Sequence, residues 1–121
     1  MLELAMELKS GQVDGFTVSA HTGETVSSGY VVGGDPECRE VRLKDFRDIP
    51  SDLLVAHLEH YRTVAEMYGR GMVGGWVHEG DLYLDAPSIL WDPEEAEALA
   101  RVRGELAYFN LDTMTEHMIN D

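Results

Sequence analysis

The sequence predicts an α+β domain, a mainly antiparallel sheet of about five strands packed against two helices in the order β-β-β-α-β-β-α. Three observations predict it. Strand-like segments cluster within the first 43 residues, two helical periods begin near Pro50 and Asp92, and a tight turn at Glu79–Gly80 divides a run of alternating residues. Short connections between neighbouring strands favour antiparallel pairing over repeated βαβ units. At 121 residues the chain is long enough for one hydrophobic core, so residues 1–121 are expected to form a single domain, with 111–121 as a loosely docked tail.

Residues 2–9, LELAMELK, are expected to form a short helix with Leu2, Ala5, Met6 and Lys9 along one stripe, or else a frayed terminus. Phe16–Ala20 reads as a strand because Phe, Thr and Val favour the pleated conformation. Thr22–Gly23 turns the chain into a second strand, Val26–Val32, which stops at Gly33–Gly34–Asp35–Pro36. These two strands are expected to pair as a hairpin. Glu40–Leu43 alternates Val41 and Leu43 with charged neighbours, the pattern of a half-exposed edge strand. Cys38, the only cysteine, lies in the polar connection DPECRE and reads as an incidental thiol.

A helix is expected from Ser51, a suitable cap, to about Tyr68, with Gly69 as its left-handed stop. Leu54, Leu58, Tyr61, Ala65 and Tyr68 share one face, widened by Leu53 and Val64. Val73–Ala86 is a hairpin. With Glu79–Gly80 as its two-residue loop, Trp76 lies opposite Tyr83, His78 opposite Asp81 and Gly74 opposite Asp85. Val73, Val77, Leu82, Leu84 and Ala86 then share the other, apolar face. The next helix has a full set of start signals: Asp92 as N-cap, Pro93 at the first position, Glu95 where a capping box places it, and Glu94, Glu95 and Glu97 at the positive end of the dipole. Ala96, Leu99, Val102, Leu106 and Phe109 form its apolar stripe, expected to pack on the apolar face of the hairpin.

The formal net charge of −14 is unevenly spread. Residues 1–50 carry nine acids against five bases, residues 51–121 fourteen against four, and no Lys or Arg lies between Gly71 and Ala100. Such a surface repels a phosphate backbone, so direct nucleic-acid binding is not expected. Neither a basic leader nor a run of about 20 apolar residues is present, which predicts a soluble cytoplasmic protein without a membrane partner.

The aromatic-acidic hairpin face, Trp76, His78, Asp81, Tyr83 and Asp85, is the candidate binding site, since Trp and Tyr offer contact area and the acids can receive a partner's donors. The competing reading buries Trp76 and Tyr83 beneath another segment. A three-residue loop would set Trp76 opposite Leu84 and remove the face altogether. His57 and His60 are spaced i, i+3 on a helix but lack a marked third ligand, and Glu79, Asp81 and Asp85 lack the calcium-loop pattern, so no metal or cofactor is expected. His21 and His117 are isolated. Ser27–Ser28–Gly29 and the Gly-Gly pairs match neither a nucleophile elbow nor a phosphate or dinucleotide loop.

GGWVHEGDLYLD followed by DPEEAEALARVRGELAYFNL, with GFTVSAHTGETVSSGYVV before them, resembles a pattern in small uncharacterised proteins of actinobacteria and their phages. The resemblance covers under half the chain, implies a bacterial or phage setting and brings no activity or catalytic residues. The expected function is that of a small acidic, non-enzymatic protein-interaction module, with a phage setting among its readings. Its partner would be a host or structural protein with a basic surface, and a nucleic-acid mimic is a sharper variant. The alternatives are a small enzyme with a carboxylate or histidine site and a homo-oligomer that buries Trp76 and Tyr83 across a symmetric interface.

Overall fold

The computed structural model describes residues 1–119, which fold as α+β with three α-helices and eight strands in two antiparallel sheets. The order is α1 (Leu2–Ser10), β1 (Gly15–Ser19), β2 (Tyr30–Val32), β3 (Val41–Leu43), α2 (Ser51–Met67), β4 (Met72–His78), β5 (Asp81–Asp85), β6 (Ser88–Leu90), α3 (Pro93–Arg103), β7 (Ala107–Asn110) and β8 (Thr115–Met118), with a single 3-10 turn at Phe46–Asp48. The first sheet runs β1-β4-β5-β3 and the second β6-β2-β7-β8.

The central hairpin has the register expected from its turn. Trp76 pairs with Tyr83, His78 with Asp81 and Gly74 with Asp85. Glu79 and Gly80 both take positive φ, 51° and 82°, as the turn that matches strand twist requires. The apolar face of β4 and β5 packs with α1 and α2 in one core, in which Leu8, Phe46, Leu54, Leu58, Val73, Leu82 and Leu84 are fully buried. In α2 the predicted stripe is buried at Leu54, Leu58, Tyr61 and Ala65, whereas Leu53 and Tyr68 remain about half exposed. The helix starts at Ser51 itself, with Pro50 as cap residue. In α1 the buried face is Ala5 and Leu8, while Leu2 and Met6 lie in solvent. That face is turned from the expected stripe because α1 meets α2 along its Leu4–Leu8 side.

The structure corrects or refines four expectations. First, the two early strands do not form a continuous hairpin: β1 pairs with β4 over five residues, β2 pairs with β6 and β7, and their segments meet at the turn end through the isolated bridge Val18 to Thr25, where the Ser19 N–H donates to the Glu24 carbonyl and the Val26 N–H to the Thr17 carbonyl. A long strand such as β4 satisfies more of β1's backbone groups than the tight return could.

Second, α3 does not cover the hairpin. It packs on the second sheet, where Val32, Ala96 and Ala100 are buried beneath Tyr30, Leu90, Leu99, Tyr108 and Ile119. Asp92 does cap it, accepting the Glu94 N–H at 2.9 Å. The helix then ends at Arg103 because Gly104 takes the left-handed conformation, which leaves Val102 and Leu106 exposed and places Phe109 in β7. Third, the presumed tail contributes a strand: β8 forms a hairpin with β7, and only the last two positions of 111–121 lie outside the described residues. Fourth, Cys38 does lie in the connection between β2 and β3 but its side chain is buried there, with its Sγ 3.9 Å from the Tyr61 hydroxyl, which donates to the Arg39 carbonyl.

Candidate functional site

The outer face of the β4–β5 hairpin brings together part of the predicted set. The Trp76 and Tyr83 rings stack, with centroids 5.4 Å apart and planes 10° from parallel. Trp76 keeps 39% of its surface exposed, so it is not covered by another segment. Arg42, on the neighbouring edge strand β3, lies with its guanidinium 5.9 Å from the Tyr83 ring centroid. The stack is therefore flanked by a cation on one side and open on the other.

The acids of this face divide into two roles. Asp81 is buried, accepts the Asp45 N–H at 2.9 Å and holds Arg42 through Nε at 2.7 Å. The Asp45 N–H, aided by Arg42, keeps its carboxyl below the usual range against the opposing effect of burial. Asp81 thus anchors β3 to β5. His78 is exposed at the turn end of the same face, with its Nε2 3.9 Å from Glu79.

Asp85, at the far end of β5, faces a cleft of about 360 Å³ lined by Gly33, Asp35, Glu40, Trp76, Glu105 and Ala107 among others. Burial, reinforced by Glu40 and Glu105, pushes the Asp85 carboxyl up to about 6. Glu40 is raised as well, by burial and then by Glu105. Asp35, by contrast, is held at about 2, chiefly by Arg70, whose guanidinium pairs with both of its oxygens. The cleft therefore has one neutralised carboxylate, Asp35, and three that repel one another.

Two glycines in β4 make the site possible. A methyl group at Gly74 would lie 2.6 Å from Asp85 Oδ1, and one at Gly75 would clash with the Phe16 ring at 2.3 Å. Gly74 therefore admits the Asp85 carboxylate, and Gly75 admits the aromatic that closes the sheet beneath it.

Glu40 and Glu105 were not candidates on sequence grounds, since each lies far along the chain from Asp85. Only the meeting of the two sheets brings them there. A signal for Glu105 does exist, in the glycine stop at Gly104, after which the next element must turn back. Among the described residues no group of three His, Cys, Asp or Glu side chains has the geometry to hold a metal ion. His57 and His60 lie on α2, His21 meets Glu66 at 3.3 Å, and His117 stacks on Tyr108 with centroids 5.1 Å apart. No helix among the described residues is long and apolar enough to cross a membrane. No protein-family model matches the chain, and neither the curated proteins nor the solved structures include a match to it.

Proposed function

We propose that the chain is a non-enzymatic binding protein that takes a cationic group from a basic protein partner into the cleft between Trp76 and Asp85. One observation carries the reading: an exposed indole and three carboxylates, Asp85, Glu40 and Glu105, line the same cleft. An ammonium or guanidinium entering there meets a negative ring face and can form charge-assisted hydrogen bonds, and it relieves the repulsion that holds protons on the acids. The net charge of −14 would steer a basic partner toward it. A nucleic-acid-binding groove is one such surface.

Calorimetric titration tests this with a lysine-containing peptide and its norleucine counterpart. The lysine peptide should bind more tightly, lose affinity as salt rises, and weaken by about tenfold with Trp76→Ala or Asp85→Asn. Equal affinity for both peptides refutes the reading.

A second reading, a small enzyme using Asp85 as general acid or base, is favoured by a carboxyl titrating at about 6. It predicts an activity whose pH profile follows that group and disappears in Asp85→Asn. A variant that keeps full activity against a substrate turned over by the native chain would remove Asp85 from that role.

A further inference from the structure

We infer that the face of the second sheet turned away from α3 docks the apolar side of a basic amphipathic helix of the partner, whose cationic side chain enters the cleft. The inference rests on the proposed function and names the form of the partner.

Alternation in the sheet separates two faces. Tyr30, Val32, Leu90, Tyr108 and Ile119 turn toward α3 and join its core. Val31, Ile89 and Phe109 turn the other way and belong to neither core, although each is half-buried. They form one row across three strands, because Val31 pairs with Ile89 on one side and with Phe109 on the other. Glu116, the partner of Phe109 on β8, ends the row with an exposed carboxylate.

Two close approaches at glycine fix the ends of this face. Trp91, 70% exposed, lies against Gly29, where a methyl group would come 3.2 Å from its ring. At the opposite end a methyl group on Gly33, the residue that follows β2, would come 3.2 Å from Asp85 Oδ2, so the cleft carboxylate lies at the end of the same strand. Gly33 and Ala107 line the cleft and continue the apolar row toward Met118, which is 56% exposed. Aromatic and branched side chains thus run without a break into a carboxylate cluster.

Charge selects the occupant. Two cations, Arg70 and Arg103, share a cleft with Ile89, but Arg70 is held by Asp35 and Arg103 by Ser88 and the Val32 and Gly33 carbonyls. Asp85, Glu40 and Glu105 at one end and Glu116 at the rim therefore favour a basic segment over an acidic or neutral one. Val31 and Gly33 are two strand residues apart, roughly 7 Å, close to the roughly 5.4 Å of one helical turn. A helix with Leu or Phe packed on Val31 and Phe109 therefore carries a Lys or Arg, three or four residues away, to Asp85.

Two synthetic helical peptides test the docking. Both carry the same lysine, but one presents Leu and Phe at i+3, i+4 and i+7 and the other presents Gln there. The apolar peptide should bind about tenfold or more tightly than the Gln peptide and shift the NMR signals of Val31, Ile89 and Phe109 together with Asp85. Trp91→Ala should remove most of that gain while leaving the Gln peptide's affinity unchanged, with thermal unfolding as the check that this exposed substitution keeps the fold. Equal affinity of the two peptides, or shifts confined to the cleft, overturns the docking face and leaves the cation reading intact. Failure of both peptides to bind overturns the cation reading and the docking face with it.

Discussion

Replacing Asp85 with Asn should stabilise the protein, and the gain should depend on pH. The folded state raises this carboxyl from 3.8 to about 6, so between those values it keeps a proton that the unfolded chain has released. Stability from this group is therefore full below about pH 4 and is lost as pH rises through about 6. The displacement corresponds to about 3 kcal/mol, an upper figure because salt screens part of the repulsion from Glu40 and Glu105. Asparagine keeps the shape without the charge. Urea unfolding from pH 4 to pH 8 should show Asp85→Asn equal to the native chain near pH 4 and more stable by up to about 3 kcal/mol at pH 7.5. Glu40 is raised in the same direction, so a shallower slope should persist in the variant. A difference that does not grow with pH, or a variant less stable at pH 7.5, would refute the placement of Asp85 among repelling carboxylates. A destabilising charge retained at a binding site is the trade expected when function opposes stability.

Gly74→Ala should push the Asp85 carboxylate off Gly74, lowering its pKa toward the ordinary range and weakening lysine-peptide binding; side-chain carboxyl NMR reads the first effect and calorimetry the second. Acid should weaken the fold through Asp35, whose depressed carboxyl contributes stability above about pH 4 that is lost as pH falls toward 2; Asp35→Asn should flatten that part of the pH–stability curve. Asp92→Ala should cost about 1 kcal/mol by leaving the Glu94 N–H uncapped, measured by thermal or urea unfolding. Leu58→Ala, in the centre of α2 and fully buried, should cost about 2–5 kcal/mol.

What could be read from the sequence was local in origin. The Glu79–Gly80 turn determined its own hairpin register, because a two-residue loop permits one pairing of Trp76 with Tyr83. Asp92 and Pro93 marked the start of α3, and the i, i+3, i+4 spacing in α2 identified Leu54, Leu58, Tyr61 and Ala65 as buried. Partner choice between elements was not legible. A helical stripe states that a face is buried but not against what, so the expected pairing of α3 with the hairpin fails and its partner is the second sheet. The apolar spacing also continues past Gly104 to Leu106 and Phe109, although the left-handed glycine ends the helix. Strands of three or four residues, such as β6 and β8, are too short for alternation to separate them from loops. The site divided in the same way. Trp76, Tyr83 and Asp85 belong to one hairpin and could be grouped from its register, whereas Glu40 and Glu105 join Asp85 only through contact between two sheets built from distant segments.

Titration of the Asp85 carboxyl, followed by carbon-detected NMR with and without the lysine peptide, tests the central claim most directly. The free protein should show this group titrating near 6, and saturating peptide should draw it down because a bound cation favours the ionised form. Its norleucine counterpart should leave the titration where it was. An Asp85 titration unchanged by the lysine peptide would contradict the account, since a cation held in the cleft cannot leave its nearest raised carboxylate unaffected.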